Sequence, residues 1–267
     1  MNIIHVSIGN KNAIMTGYIH SYTSFNIQRN TRPAIVICPG GAYEFVSEIE
    51  KDPVAIYYFS KGFNVFILDY SVRENASNFT PLLELSEAFV KIRDNAKDFR
   101  TDPTRIAVMG FSAGGHLAAS LALLYNNPEF IKVSKVTDGY NSPNALILAY
   151  PVITTGEYSH QKSIENVTAS ENNMIKLLSL ENRVTSDCPP VFIWATQDDE
   201  SVPIENSLLL VSSLIIKKIS VEFHLFPSGE HGLSMCDADC NKENTSVAQW
   251  KKLSINWLSN IFKYTIS

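Results

Sequence analysis

The sequence has no long apolar run that could cross a membrane. No stretch of about 18 or more apolar residues occurs, so it predicts no membrane-spanning helix and no membrane partner. Residues 1–10 carry no positively charged segment, and their apolar residues alternate with polar ones. That alternation is typical of a strand rather than of a signal peptide. We therefore expect a cytoplasmic protein.

The sequence also lacks any stretch rich in Pro, Gly or Ser that would separate two domains, and it contains no internal repeat or low-complexity tract. A length of 267 residues suits one large α/β domain. We expect a single domain over residues 1–267. The sequence carries no signal for an oligomeric state.

Positive charge is not in excess, because 22 Lys and Arg stand against 27 Asp and Glu, for a net charge of −5. Contacts with nucleic-acid phosphates need clustered Lys and Arg. The pairs Lys217-Lys218 and Lys251-Lys252 are isolated and typical of solvated helix faces. We expect no nucleic-acid partner.

Cysteine is scarce, and the chain has only four. Cys38 lies in an apolar run, which predicts a small core residue. Cys236 and Cys240 are close in sequence, but no second Cys/His pair at zinc spacing accompanies them. We expect no metal site, and we interpret this pair as reduced thiols in a surface loop.

The sequence does contain a series of short apolar runs rich in β-branched residues. These runs are almost continuously apolar, which indicates strands buried on both faces, as in a parallel sheet. They occupy residues 34–38, 64–68, 105–109, 145–149, 191–194 and 221–225.

Segments with helical spacing of apolar residues separate these runs, at 47–61, 81–99, 113–124, 205–218 and 246–262. Alternation of strand and helix predicts right-handed βαβ units and a three-layer α/β sandwich with a mostly parallel sheet. Residues 154–187 fit this rhythm less well and are predicted to form a short insertion or lid. In such a sheet, ligands bind beyond the carboxyl ends of the strands.

The strongest motif follows the run at 105–109, where Gly110-Phe111-Ser112-Ala113-Gly114 leads into a predicted helix. A G-x-S-x-G pattern in a strand–turn–helix context predicts a nucleophile elbow with Ser112 as nucleophile. Glycine is needed on both sides because the backbone packs closely in this strained turn. The pattern also occurs by chance in Gly-rich turns, but its placement between strand and helix favours the nucleophile.

A turn of small residues, Pro39-Gly40-Gly41-Ala42, follows the first strong strand. Small residues let backbone N–H groups approach a substrate closely and stabilise a developing oxyanion. We expect the N–H groups of Gly41 and Ala42, together with that of Ala113, to form an oxyanion hole. The alternative interpretation is an ordinary strand-ending turn.

The predicted acid and base follow the last two strands. In the chain order nucleophile, acid, base, Asp199 is the favoured acid because Asp-x-x-Val-Pro is the usual form of such a loop, and Asp198 is the alternative. His231 lies in a loop between the last strand and the C-terminal helix. There it would take the Ser112 proton as general base.

The other histidines lack this position. His116 is expected to pack or cap locally on the helix that follows Ser112, and His224 lies within a strand. His5, His20 and His160 lie in terminal or irregular segments.

Four segments resemble bacterial acetylesterases and short-chain carboxylesterases of the α/β-hydrolase superfamily, which includes acetyl-xylan-esterase-like and hormone-sensitive-lipase-like enzymes. They are residues 38–43, 102–118, 198–207 and 229–233. The resemblance implies an α/β-hydrolase fold, a Ser/Asp/His mechanism without a cofactor, and small acyl esters as substrates, especially acetyl esters of carbohydrates. This sequence departs from the pattern where Pro39 replaces a His, Ala42 a Gly and Glu230 a Gly.

Two alternatives remain open. A peptidase of the prolyl-oligopeptidase type has the same catalytic arrangement, but the chain lacks room for its propeller domain. A non-catalytic binding protein on this fold would usually have lost one of the three site residues. Tyr43, Phe45 and Phe111 either crowd the acyl side of the site or belong to the core or rim.

Overall fold

The computed structural model describes residues 1–21, 30–240 and 242–266, with only the backbone of Asp239. Its strands are β1 (Asn2–Ile8), β2 (Ala13–Ile19), β3 (Arg32–Cys38), β4 (Asn64–Asp69), β5 (Thr101–Phe111), β6 (Ala145–Ala149), β7 (Val191–Thr196) and β8 (Val221–Phe226). Its helices are α1 (Asp52–Ser60), α2 (Thr80–Asp94), α3 (Ser112–Leu124), α4 (Pro128–Ser134), α5 (Gln161–Thr168), α6 (Asn172–Leu177), α7 (Glu205–Ile216) and α8 (Trp250–Phe262).

Within the described residues, the strands form one eight-stranded sheet in the order β1-β2-β4-β3-β5-β6-β7-β8. The pairs β1–β2 and β2–β4 are antiparallel, and every pair from β4 to β8 is parallel. All carboxyl ends of the parallel strands therefore meet at one edge, where side chains from distant parts of the chain come together.

The core lies on both faces of this sheet, since successive side chains of a strand point to opposite faces. One apolar cluster joins alternate residues of β3, β5, β6 and β7 to α2, α3 and α7. The residues between them pack against α1 and α8 on the other face. Every residue of β6 and β7 is buried, which explains their continuously apolar sequences. These layers confirm the predicted α/β sandwich.

Some boundaries and elements differ from the predictions. The helix expected from residue 47 begins only at Asp52, with Pro53 in its first turn, and Glu48–Glu50 form a separate 3-10 turn. The predicted helix at 81–99 ends at Asp94, and the one at 246–262 begins at Trp250.

Outside the predicted insertion, two elements were not predicted, β2 and α4. Strand β2 contains Thr16-Gly17, which interrupts its apolar pattern, and it forms because it pairs with a strand on each side. Helix α4 is a short element capped by the side chain of Asn127. The irregular stretch at 154–187 contains α5 and α6. No helix within the described ranges is both long enough and apolar enough to span a membrane.

Candidate active site

Ser112 is the first residue of α3 and directly follows β5. Its φ of +51° lies in the left-handed region, which an L-residue occupies only under local constraint. A methyl group added to Gly110 would collide with the carbonyl of Gly114, and one added to Gly114 would collide with the carbonyl of Cys38. Glycine is therefore required on both sides of Ser112, which is the steric reason for the motif.

His231 and Asp199 continue from Ser112 in one hydrogen-bonded line. His231 Nε2 lies 2.8 Å from Ser112 Oγ, and His231 Nδ1 lies 2.7 Å from Asp199 Oδ2. The other carboxylate oxygen of Asp199 accepts the backbone N–H groups of Ser201 and Val202, each at 2.9 Å. With its Nδ1–H donated to Asp199, the imidazole presents Nε2 as the acceptor for the Ser112 hydroxyl proton.

Asp198, the alternative acid, has different partners. Its carboxylate accepts hydrogen bonds from the Ser228 hydroxyl and from the N–H of Gly229, both at 2.7 Å. The hydrogen bond from Ser228, and next that from Gly229, lower the pKa of Asp198. The adjacent carboxylates thus have separate contacts, because Asp199 meets the imidazole and Asp198 holds the backbone of the loop that leads to it.

The small-residue turn after β3 lines a cavity of about 300 Å³ together with Ser112 and His231. Gly41 and Ala42 have φ values of +120° and +57°. The carbonyl of Ala42 accepts a hydrogen bond from the side-chain amide of Asn166 in α5 at 2.9 Å. Ala113 is the second residue of α3, so its N–H has no acceptor within the helix. Of the three residues predicted to donate to the oxyanion, Gly41 and Ala42 thus line the same cavity as Ser112, and Ala113 follows Ser112 in the chain.

Two buried or half-buried titratable residues of this cavity, Glu50 and His160, were not predicted from the sequence. Glu50 is only 3% exposed, accepts the N–H of Gly40 at 2.6 Å, and accepts the hydroxyl of Tyr150 at 2.6 Å. Burial raises the pKa of Glu50, while these hydrogen bonds oppose the shift. The residue lies in a segment predicted as helix, and no local pattern marked it.

His160 is the second of these residues, and in the sequence it lies in a segment without a clear helix or strand pattern. It precedes α5, and its Nδ1 lies 2.8 Å from Ser163 Oγ and accepts the N–H of Ser163 at 3.4 Å. Its ring lines the cavity beside Ser112 and His231. Burial and, next, the neighbouring His231 lower the pKa of His160.

Other expectations are corrected by the packing. His116 is fully buried and contacts Tyr43 Oη and the carbonyl of Leu178, both at 3.0 Å, so its contacts are long-range rather than local. Cys236 and Cys240 are free thiols, but they are buried rather than in a surface loop, because the chain after His231 packs against α8.

The three aromatic residues near the motifs have different positions. Tyr43 and Phe111 belong to the core, with at most 1% exposure, whereas Phe45 is 55% exposed and lines the cavity. A larger cavity of about 670 Å³ lies against α2 and contains none of the predicted site residues. Among residues 1–21, 30–240 and 242–266, no group of three or more His, Cys, Asp and Glu is arranged to hold a metal ion.

A mostly parallel sheet of this order, with a serine on a strained turn between β5 and α3, defines the α/β-hydrolase class. The BD-FAE family model matches residues 22–214, and the chain belongs to the BD-FAE family. The resemblance seen in the sequence is thereby confirmed at the level of superfamily and fold.

Named relatives support this placement. The chain is 36% identical over 216 residues to endo-1,4-beta-xylanase B of Butyrivibrio fibrisolvens, covering 77% of this chain and 33% of that protein. It is 30% identical over 207 residues to the acetylxylan esterase of Xylanibacter ruminicola, covering 74% and 40%. The chain thus spans only about a third to two fifths of the length of these curated relatives.

A solved structure matches over the whole chain. The carboxylesterase Cest-2923 from Lactobacillus plantarum superposes with a TM-score of 0.89 at 26% identity, covering 100% of this chain and 99% of that one. Apart from the xylanase, these relatives carry the names of esterases and carboxylic ester hydrolases.

Proposed function

We propose that the chain is a serine carboxylesterase that hydrolyses short-chain acyl esters through an acyl-enzyme intermediate. The observation that carries this proposal is the hydrogen-bonded line from Ser112 through His231 to Asp199, which borders an open cavity. Ser112 is the nucleophile, His231 the general base and Asp199 the acid that orients it.

In the first half-reaction, His231 Nε2 takes the Ser112 proton while Oγ attacks the ester carbonyl carbon. The carbonyl oxygen becomes negatively charged and accepts hydrogen bonds from the N–H groups of Gly41, Ala42 and Ala113. His231 then protonates the departing alcohol. A water molecule, activated in the same way, releases the carboxylic acid and restores Ser112.

The size and the lining of the cavity favour an ester with a small acyl group and a polar alcohol. About 300 Å³ is the lower end of the usual range for ligand pockets. Phe45 and Ile49 supply apolar wall, whereas His160, Ser201 and Lys242 bring polar groups to the same cavity. With an acetylxylan esterase among the relatives, we propose acetyl esters of carbohydrates as the substrate class.

The esterase names also favour ester over peptide bonds, so the peptidase alternative gains no support. The direct test combines active-site labelling with a substrate panel. A fluorophosphonate should label wild-type protein stoichiometrically and should not label Ser112→Ala. p-Nitrophenyl esters from acetyl to octanoyl, together with acetylated xylo-oligosaccharides, should show the highest kcat/KM for acetyl.

Three outcomes of these experiments would contradict the proposal or part of it. A wild type that neither labels nor cleaves p-nitrophenyl acetate would sink the proposal. Cleavage of Xaa-Pro-amide substrates without ester cleavage would transfer support to the peptidase, and a higher kcat/KM for octanoyl than for acetyl would remove the acetyl preference.

A further inference from the structure

Glu50 is a buried carboxylate directly behind the turn that carries two of the proposed oxyanion donors. Its Oε2 accepts the N–H of Gly40, and its Oε1 accepts the hydroxyl of Tyr150, both at 2.6 Å. The Gly40 backbone is tightly packed, because a methyl group on it would lie 2.9 Å from Glu50 Oε2 and 3.0 Å from Ser112 Cβ. Glu50 therefore holds the backbone next to the proposed nucleophile.

Hydrogen-bond roles show that both oxygens of Glu50 act as acceptors. The N–H of Gly40 can only donate. The Tyr150 hydroxyl accepts the N–H of Ser234 at 2.9 Å, which leaves its own proton to donate to Glu50. These two hydrogen bonds and the nearby His231 favour the ionised form of Glu50, whereas burial, the largest influence, raises its pKa. No Lys or Arg in the described part of the chain forms an ion pair with Glu50.

A buried carboxylate without a cationic partner is costly to a fold in its ionised form, so the position calls for a reason beyond packing. The nearest group that gains a positive charge in the proposed reaction is His231, whose electrostatic attraction favours ionised Glu50. Tyr150 connects the two, since its ring packs edge-on against the His231 ring with centroids 5.0 Å apart.

The same network reaches the loop that carries His231. Ser234 lies in that loop, and besides its contact with Tyr150 its hydroxyl donates to the carbonyl of Ile49 at 2.6 Å. Tyr150 and Ser234 have φ values of +38° and +48°. Backbone strain of this kind persists only where the surrounding contacts hold the residue in place, and it is common at functional sites.

We propose that Glu50 is a positioning residue for acyl transfer, acting on both sides of Ser112. Through the N–H of Gly40 it fixes the turn whose Gly41 and Ala42 donors receive the oxyanion. In its ionised form, Glu50 stabilises the positive charge that the His231 imidazolium carries during the lifetime of the tetrahedral intermediate. The inference rests on the proposed esterase function.

Two substitutions separate the charge from the positioning. Glu50→Gln keeps one oxygen for the Gly40 N–H and presents its amide to Tyr150, so it mainly removes the charge. Tyr150→Phe keeps the carboxylate and its Gly40 contact, but it removes the hydroxyl that donates to Glu50 Oε1 and accepts from Ser234, so Glu50 is held less firmly. Glu48→Gln is the matched control, because Glu48 lies in the same 3-10 turn with its side chain 83% exposed.

For Glu50→Gln we expect kcat for p-nitrophenyl acetate, counted per fluorophosphonate-titrated site, to fall about 10- to 100-fold, with KM within about threefold. Tyr150→Phe should lose about 3- to 10-fold, and Glu48→Gln should match wild type. A merely structural role would lower the titrated fraction and leave turnover per titrated site unchanged.

The pH profile of kcat/KM supplies a second readout. Without the charge of Glu50, the acidic limb should move to lower pH, because the imidazolium of His231 becomes easier to deprotonate. The other titratable or charged groups facing His231 stay in place in this variant, namely Asp199, His160, Tyr150, Glu230 and Lys242.

A Glu50→Gln protein with wild-type turnover per titrated site and an unmoved acidic limb overturns this inference while leaving the esterase proposal intact. A wild type that neither labels nor turns over overturns both. If Glu50→Gln does not fold, Tyr150→Phe decides, and unchanged turnover per site in that variant overturns the inference.

Discussion

The two sides of Ser112 are held in different ways. On the acid–base side, Asp199 is oriented by the N–H groups of Ser201 and Val202, which are its near neighbours in sequence. On the turn side, Gly40 is held by Glu50, and Glu50 is held by Tyr150, one hundred residues further along the chain. One side rests on a local loop, the other on a buried network that only the complete sheet assembles.

This difference has a consequence for how each side responds to substitution. A local loop keeps its shape when one side chain changes, so a substitution there removes one chemical role. A buried network with a charge in it links several backbones, so a substitution there displaces more than one group. We therefore expect adjacent residues on the acid–base side to be affected separately, and connected residues on the turn side to be affected together.

The largest expected effect is on the acid–base side. Asp199→Asn should lower kcat for p-nitrophenyl acetate about 10²- to 10⁴-fold, because an amide no longer fixes the Nδ1–H tautomer of His231 or stabilises its imidazolium. KM should change little. Steady-state kinetics on protein of unchanged thermal stability measures the effect.

Asp198→Asn is the matched control for that substitution. Its contacts are Ser228 and Gly229 rather than His231, so kcat should stay within about threefold of wild type. Equal losses in the two variants would contradict the assignment of Asp199 as the acid and would remove the contrast between adjacent carboxylates.

An intermediate effect is expected on the turn side. Gly41 has a φ of +120°, and a methyl group there would collide with the carbonyl of Phe45. Gly41→Ala should therefore displace the turn and lower kcat about 10- to 100-fold, as loss of an oxyanion donor does. The rate of fluorophosphonate labelling should fall in parallel.

Ala42→Gly supplies the comparison within the same turn. Ala42 already has the left-handed φ of +57°, which glycine adopts without steric cost. Activity should stay within about threefold of wild type. A wild-type labelling rate in Gly41→Ala would show that this turn does not supply the oxyanion donors.

The smallest effect is expected from His160, which lies in the cavity between the two sides. Burial lowers its pKa, so the ring is neutral near pH 7, with Nδ1 accepting from Ser163 and Nε2–H left to donate. Asparagine is also a good residue before a helix, so His160→Asn should keep α5 intact. KM for an acetylated xylo-oligosaccharide should rise about 2- to 10-fold, the worth of one neutral hydrogen bond.

Two comparisons keep this last prediction specific. KM for p-nitrophenyl acetate, whose alcohol offers no sugar hydroxyl, should change less than KM for the oligosaccharide. His224→Asn removes a histidine on β8 whose partner is Glu222, and it should leave both KM values unchanged. An unaltered oligosaccharide KM in His160→Asn would exclude His160 from substrate binding.

The parts of the fold that could be predicted are those in which local sequence and final environment agree. Strands β3, β6 and β7 are buried on both faces, so each reads as an uninterrupted apolar run. Strand β2 lies nearer the edge of the sheet and includes Thr16-Gly17, so its identity depends on its partners β1 and β4.

The sequence by itself determined the residues whose local backbone requires them. Gly110 and Gly114 are necessary because no side chain fits between β5 and α3, and Asp199 and His231 follow strands whose carboxyl ends meet in any sheet of this class. Only the tertiary structure decided which groups surround them: Glu50 behind the turn, Tyr150 beside His231, and His160 in the cavity wall. Their contacts join segments far apart in the chain, and no local pattern of apolar and polar residues records such a pairing.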